Sequence, residues 1–252
     1  MKDAGYGALL ALQFLTRLPV PVVCPWTPAT RRWAARSYPL VGLVIGVLLA
    51  LLGMALRDAW PAPLVALALL SGWVALSGGL HLDGLMDLAD ALGCQSSGER
   101  RWAIMKDPHV GSFAVLALVL HLAWKGMLLW VLLDEGASLW ALVAIPALAR
   151  WGAVALLVGV PAARDEGLAH AWQRSLGHRE AWLAALPAFA VLAWVPGGIW
   201  LAVAMAVFIV IYGGAMRRSF GGINGDIVGA AIEGGELWLL LIAWSWWSYV
   251  MV

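Results

Sequence analysis

Residues 111–133 read GSFAVLALVLHLAWKGMLLWVLL, an apolar run interrupted by one formally charged side chain, Lys125. A helix of about 20 apolar residues is what the hydrocarbon core of a bilayer requires. The sequence therefore predicts an all-α, polytopic membrane bundle, organised as one domain over residues 1–252. We expect about seven transmembrane helices, with residues 5–16 as a further, partly inserted helix, and the predicted spans are 38–57, 63–82, 111–133, 138–160, 181–195, 198–216 and 236–252.

The overall composition agrees with a membrane protein. The chain is 63% hydrophobic and 12% charged, whereas soluble domains are about 45–50% apolar and about 25% charged. Its 17 tryptophans suit the boundary between membrane and water, so membrane lipid is the predicted surroundings. A net charge of +1 without a basic stripe argues against a nucleic-acid partner. The two cysteines, Cys24 and Cys94, have no metal-ligand spacing, and a disulfide framework is not expected.

The segments between the predicted spans differ in charge. One set holds 13 of the 16 Lys and Arg residues and comprises the N-terminus and residues 17–37, 83–110, 161–180 and 217–235. The other set consists of the short loops 58–62, 134–137 and 196–197. Because an excess of Lys and Arg marks cytoplasmic loops, we expect the first set, with its polar motifs, to face the cytoplasm. The predicted location is the cytoplasmic membrane of a bacterium or archaeon.

The most informative polar motif is GGLHLDGLMDLAD at residues 78–90. Asp83, Asp87 and Asp90 stand at positions i, i+4 and i+7, which lie on one stripe of a helix. Carboxylates so close together repel each other unless a cation lies between them, and Mg²⁺ prefers such oxygen ligands, often with substrate phosphates completing its shell. We therefore predict these three acids as magnesium ligands, with Asp83 also a catalytic candidate. The alternative is that they are solvated acids at a helix end.

His81 precedes this stripe. It is a candidate general base if its pKa is near neutrality, and a hydrogen-bonding residue at the membrane interface otherwise. The next polar segment, residues 99–111, contributes two further catalytic candidates, Lys106 and Asp107. Lysine and arginine bind phosphate through charge-assisted hydrogen bonds, although Arg100 and Arg101 can equally anchor the chain at the membrane surface.

Residues 217–236 read RRSFGGINGDIVGAAIEGGE. A glycine-rich backbone can surround a phosphate with N–H groups. The predicted substrate-binding residues are therefore Arg217, Arg218, Gly222, Asn224 and Gly225, and Asp226 is predicted as a further metal ligand.

Two cations lie deep in predicted spans. Burying a charged side chain such as Lys125 or Arg150 in a membrane costs free energy, so charged residues at such positions often belong to functional sites. We predict that both bind substrate. The alternative is a structural pairing with an acid or a carbonyl group inside the bundle.

Five segments together resemble the cobalamin synthase family (adenosylcobinamide-GDP ribazoletransferase), in the family's order and over nearly the whole chain. The sequence departs from the family at Asn224, where threonine is usual. The five segments are FLTRLPVP at 14–21, YPLVG at 38–42, the motif at 78–90, IMKD at 104–107 and the segment at 221–236.

The resemblance implies a reaction and its partners. Adenosylcobinamide phosphate would be transferred from adenosylcobinamide-GDP to α-ribazole or α-ribazole 5′-phosphate. GMP would be released, and adenosylcobalamin or its 5′-phosphate would form. The implied cofactor is Mg²⁺, and assembly of several copies of the chain is left open.

Two other functions compete with this interpretation. A CDP-alcohol phosphatidyltransferase also uses an aspartate stripe, but its motif requires Ala-Arg where Asp87 and Leu88 stand. A membrane transporter would suit intramembrane cations and glycine-rich breaks, although the acids here cluster at one face. Release of GMP, release of CMP, or transport without chemical change distinguishes the three.

Overall fold

A computed structural model describes residues 2–94 and 98–251, and the secondary-structure elements named within these ranges are all helical. The α-helices are α1 Lys2–Leu15, α2 Pro28–Leu56, α3 Ala62–Ser77, α4 Leu80–Gly93, α5 Glu99–Met105, α6 Ser112–Asp134, α7 Trp140–Gly159, α8 Gly167–Gln173, α9 His178–Ala190, α10 Gly198–Phe220 and α11 Gly225–Trp246. A 3₁₀ turn at Val191–Trp194 continues α9, and a π-helical turn at Trp247–Met251 continues α11.

The predicted multi-pass helical membrane fold is confirmed. Among the residues that the structure describes, five helices are long and apolar enough to cross a bilayer, namely α2, α6, α7, α10 and α11 with its π-helical turn. Helices α3 and α4 would together make a sixth, but they meet at an angle of 89°. The prediction of about seven spans is therefore roughly correct.

Two predicted spans differ from the helices observed. The span at 63–82 is broken because Gly78 and Gly79 adopt left-handed backbone angles, with φ of 65° and 70°, which glycine tolerates and other residues rarely do. The span at 181–195 is the 13-residue α9 followed by its 3₁₀ turn, and it is too short to count as a full crossing by itself.

Two other helices begin earlier than predicted because each has a capping residue. The side chain of Thr27 accepts the Thr30 N–H at 3.2 Å before α2, and the side chain of Asn224 accepts the Ile227 N–H at 2.9 Å before α11. Side-chain caps of this kind satisfy N–H groups that have no partner within the helix.

The centre of the bundle is α7. Of the 18 most apolar consecutive residues of α7, 83% are buried, against 28% for the same stretch of α6 and of α10. It packs against α2, α9, α10 and α11. Gly42 and Gly46 of α2 lie directly against the backbone of α7, where a side chain would collide with Pro146 and Leu142. Small residues four positions apart allow this close approach between membrane helices.

The chemistry-bearing residues lie at one end of the bundle, which we call the site end. There α7 and α10 end and α6 and α11 begin, and Ala162 pairs with Ile223 in an isolated β-bridge. Helix α4 also lies here and packs on α11, with Gly84 so close to Asp226 that a Cβ would stand 2.5 Å from the Asp226 carbonyl oxygen.

A methyl group at Gly84 should therefore push α4 away from α11. Overpacking typically costs about 1–3 kcal/mol, so Gly84→Ala should lower the melting temperature in detergent by roughly 5 °C. Gly214→Ala is the matched control, because the Cβ position of Gly214 in α10 has no neighbouring atom within 4 Å. Equal melting temperatures for the two variants would contradict the tight α4–α11 contact.

Candidate functional site

Three predicted metal ligands gather at the contact between α4 and α11. Asp83 is exposed, and Asp87 and Asp226 are half-buried. The charges that act on the Asp87 carboxylate are those of Asp83, Asp226 and Asp90, all of the same sign. A divalent cation fits a cluster of like-charged oxygens, because it removes their mutual repulsion.

Asp90 has a different position from the other acids. Its two carboxylate oxygens accept the Gly111 N–H at 2.7 Å and the Ala114 N–H at 2.9 Å, at the beginning of α6. A carboxylate here satisfies free N–H groups and interacts favourably with the positive end of the helix dipole. Its predicted role as a metal ligand stays a prediction, and in this structure Asp90 holds α6 against α4.

The acids do not form a complete metal site by themselves. Over residues 2–94 and 98–251, no three His, Cys, Asp or Glu side chains are arranged as a metal-binding group. Mg²⁺ is commonly held by one or two carboxylates, with substrate phosphates and water supplying the other ligands. The donor chemistry of Asp83, Asp87 and Asp226 fits a cation bound in that way.

Asn224 organises the beginning of α11. Besides capping the helix, its Nδ2 donates to Oδ2 of Asp226 at 2.8 Å, which orients that carboxylate. Threonine, which is usual at this position in the resembling family, is also a good helix N-cap. Gly222 is buried against the backbone of Pro161 and Ala163, so its observed role is close packing. The prediction that Asn224 and Gly222 bind substrate is not tested by these contacts.

A cavity of about 420 Å³ opens beside Asp226, and we call it the polar cavity because several charged side chains line it. It contains the predicted residues Lys106, Asn224 and Gly225. Sequence analysis missed Arg164 and Glu166, because nothing in their loop distinguishes them from solvated charges. The complete lining is Trp102, Lys106, Ala163, Arg164, Glu166, Gly167, Leu168, Ala169, Ile223, Asn224, Gly225 and Asp226.

A second, apolar cavity of about 160 Å³ adjoins the first. The two share Leu168, Ala169, Gly225 and Asp226 as a common wall. His81 lines the apolar cavity, and its Nδ1 is buried with no hydrogen-bond partner among the described residues. The site end therefore offers an apolar and a polar compartment on either side of one acid.

Three predicted site residues lie on the surface and line neither cavity. Arg217 and Arg218 are exposed in the last turn of α10. Asp107 is also exposed, and its Oδ1 accepts the His109 N–H at 3.0 Å and lies 2.6 Å from His109 Nδ1. These bonds lower the pKa of Asp107, which weakens it as a general base. Their predicted roles in substrate binding and catalysis remain predictions.

The intramembrane cations Lys125 and Arg150 are paired with acids. Lys125 Nζ donates to Glu233 at 2.9 Å and to Glu236 at 2.6 Å, and Arg150 donates to Glu236 at 2.5 Å. His121 Nε2 lies 2.9 Å from the same Glu233 oxygen. We call these five side chains the buried charge network.

The buried charge network is closed to solvent. None of its members is more than 6% exposed, and two cations balance two carboxylates. Lys125 also lies 4.3 Å above the centre of the Trp73 ring, a favourable cation–π contact. Neither Lys125 nor Arg150 lines the two cavities described above. Their prediction as substrate-binding residues stays a prediction, and the pairing that the structure shows is structural.

The sequence matches a known protein family over most of its length. The family model described as "Cobalamin-5-phosphate synthase" matches residues 7–244. The chain belongs to the cobalamin-5-phosphate synthase family.

Relatives of this synthase family align over nearly the full length and are named adenosylcobinamide-GDP ribazoletransferase. The relative from Halalkalibacterium halodurans is 36% identical over 99% of both chains. That from Pseudomonas putida is 44% identical over 92% of this chain and 96% of the relative, and that from Thiobacillus denitrificans is 42% identical over 94% of both. No solved structure matches the chain.

Membership of the synthase family makes this chain a cobalamin-biosynthesis transferase with several membrane helices. The resemblance to the cobalamin synthase family that the sequence analysis described is confirmed.

Removal of one charge from the buried network should destabilise this synthase. Glu236→Gln leaves a surplus positive charge in the bundle, and this should lower the free energy of unfolding by roughly 3–5 kcal/mol. The measurement is the fraction of protein that stays monodisperse in detergent, which Glu236→Gln should reduce. The double variant Lys125→Met with Glu236→Gln restores charge balance and should recover part of that fraction. The single variant Lys125→Met completes the comparison. If the stability lost by the double variant equals the sum of the losses in the two single variants, the two charges are not coupled.

The Asp90 side chain should matter for the stability of the synthase fold. Asp90→Asn removes the negative charge at the beginning of α6 and replaces one acceptor oxygen by a donor, so thermal stability should fall by about 1–2 kcal/mol. Asp87→Asn, one helical turn away, serves as the comparison and should melt at or above the wild-type temperature, because it relieves repulsion. A lower melting temperature for Asp87→Asn than for Asp90→Asn would refute these assignments.

Proposed function

We propose that this chain transfers the adenosylcobinamide phosphate group from adenosylcobinamide-GDP to α-ribazole or α-ribazole 5′-phosphate at the site end. The observation that carries this proposal is the position of Asp226, which joins an acid cluster on one side to two adjoining cavities on the other. One membrane domain spanning residues 1–252 supplies all of these groups.

The covalent change is a displacement at phosphorus. A ribose hydroxyl of the acceptor forms a bond to the phosphorus that carries the cobinamide, and the bond from that phosphorus to the bridging oxygen breaks. The bridging oxygen leaves with GMP, and the hydroxyl proton passes to a base on the protein. Because the product keeps a 5′-phosphate when the acceptor has one, the attacking hydroxyl is not the 5′ group.

The acid cluster is proposed to hold Mg²⁺ through Asp83, Asp87 and Asp226. The bound cation would neutralise charge on the diphosphate oxygens during the displacement. Asn224 keeps Asp226 oriented through its 2.8 Å hydrogen bond, and Asp90 keeps α4 and α6 together so that the stripe of acids stays in place.

The polar cavity is proposed to bind the diphosphate and GMP portion of the donor. Lys106 and Arg164 line it and provide positive charge for the phosphates. Gly225 stands at the beginning of α11, where helix N–H groups and the helix dipole favour an anion. Asn224 occupies the N-cap beside it, and Asn224, Gly225 and Asp226 all line this cavity.

His81 is proposed as the base that accepts the proton. It lines the apolar cavity together with Asp226, and Asp226 is also one of the acids proposed to hold the metal. A neutral imidazole is a suitable proton acceptor when it lies within reach of the attacking hydroxyl.

The site end is proposed to face the cytoplasm of a bacterial cell. Support comes from the 13 Lys and Arg residues in the segments predicted to face the cytoplasm and from the bacterial origin of the relatives. The membrane lipid then surrounds the apolar spans, and both nucleotide-bearing substrates reach the site from the cytoplasmic side.

Product analysis tests the proposal. Protein in nanodiscs, given adenosylcobinamide-GDP, α-ribazole 5′-phosphate and Mg²⁺, should release GMP and form the joined corrinoid in equal amounts. Removal of divalent cation, or Asp87→Asn, should reduce turnover by roughly 100-fold or more, since both remove charge stabilisation from the displacement.

Asp58→Asn is the matched control, because Asp58 is an exposed acid in the loop that follows α2, away from the site end. It should retain wild-type turnover. Normal turnover in a folded Asp87→Asn variant would eliminate the metal assignment. Absence of GMP from folded wild-type protein, with CMP released from a CDP-alcohol instead, would replace the proposed reaction by phosphatidyl transfer.

A further inference from the structure

The apolar cavity has an aromatic wall built around Trp172. The ring of Trp172 makes edge contacts with Phe14, Trp26 and Tyr38, at centroid distances of 5.7, 5.6 and 5.6 Å. These four rings come from α1, the segment before α2, α2 itself and α8. Edge-to-face contacts between aromatic rings hold each ring in a defined orientation.

The helix that carries Trp172 is fixed at its end by Gln173. The Gln173 amide donates to the Val160 carbonyl at 2.7 Å and accepts the Ala162 N–H at 2.8 Å. Trp172 itself is only 3% exposed. The aromatic wall is therefore preorganised, although α8 has just seven residues.

The apolar cavity has few polar groups. Its ionisable lining residues are His81 and Asp226, of which Asp226 belongs to the wall shared with the polar cavity, and the remaining lining is aromatic, aliphatic or glycine, apart from the Tyr38 hydroxyl. His81 is 4% exposed, and its Nδ1 has no partner in the described part of the chain. A buried polar atom of this kind is normally hydrogen-bonded, so His81 Nδ1 is available to a polar group of a ligand in the cavity.

From this geometry we infer that the apolar cavity binds the planar aromatic base of the acceptor nucleoside and selects among bases by size. The inference rests on the proposed function and specifies how that site chooses its substrate. A cavity of about 150 Å³ lined by apolar side chains holds one small aromatic ring system, and the volume here is about 160 Å³. A corrin macrocycle is far too large for it.

The arrangement also orients the nucleoside. With the base against Trp172 and Tyr38, the ribose lies toward Asp226, next to the cavity proposed for the donor diphosphate. The attacking hydroxyl then meets the donor phosphorus at the shared wall. Base selection and reaction geometry thus depend on the same cavity.

Narrowing the cavity should change which base the enzyme accepts. Val228 of α11 and Leu157 of α7 line the cavity from two helices, so Val228→Phe and Leu157→Phe each reduce its volume. We expect each variant to raise KM for α-ribazole, whose base is a dimethylbenzimidazole, at least tenfold. The KM for the nucleoside of unsubstituted benzimidazole should rise less, and KM for adenosylcobinamide-GDP should stay within twofold.

Val210→Phe is the matched control, because Val210 lies on α10 and is 74% exposed. It should leave all three KM values unchanged. A change in the ratio of kcat/KM between two bases is a readout that general destabilisation does not produce. The second narrowing variant keeps the test decisive if the first fails to fold.

Equilibrium binding of radiolabelled α-ribazole to wild type and Val228→Phe provides a measurement that needs no turnover. Weaker binding to Val228→Phe supports the base cavity even if no GMP is released. Absence of GMP would overturn only the proposed reaction. Wild-type turnover together with unchanged base preference in folded Val228→Phe and Leu157→Phe would overturn the inference and leave the proposed function intact.

Discussion

Electrostatic pairing inside an apolar bundle is the constraint on which the other features depend. Lys125, Arg150, Glu233 and Glu236 are each buried, and each is stable there only because its partners are within hydrogen-bond distance. These partners join α6, α7 and α11 at one fixed axial register. The same register sets the height of Asp226, about two helical turns before Glu233 on α11. A shift of α11 would separate the pairs, so the buried charge network also fixes the acid that borders both cavities.

The sequence predicted the exceptional residues better than it predicted their partners. Lys125 and Arg150 are conspicuous because charge is rare in a membrane span, yet the acids that pair with them are more than 80 positions away, and no local pattern connects them. The aspartate stripe followed from helical periodicity alone, and α4 confirms the helix. Periodicity does not reveal that Asp90 meets the beginning of α6, because that contact depends on how two helices are joined. The break at Gly78 and Gly79 was likewise hidden by the continuous apolar character around it.

The cavities were the least predictable part of the candidate site. Phe14, Tyr38 and Trp172 lie in three separate segments and converge only because α1, α2 and α8 pack at the site end. The resemblance to a known family covered two of these segments without assigning them a function. Arg164 was likewise unremarkable in sequence, since a single arginine in a charged loop is ordinary. Residues that share one face of a single helix can be predicted from their spacing in the sequence. Residues from separate segments that together line a cavity can be identified only from the three-dimensional structure.

The sharp bend after α3 has a consequence for the lipid itself. Helix α3 has 16 residues, so it spans roughly 24 Å, whereas the hydrocarbon core is about 30 Å thick. Its side chains Leu64 and Leu67 are at least half exposed, as is expected of a helix that contacts lipid. Hydrophobic mismatch of this size is relieved when the bilayer thins around the short helix. The leaflet surface would then dip beside α4, and the corrinoid donor that we propose as substrate would reach the acids without entering the hydrocarbon.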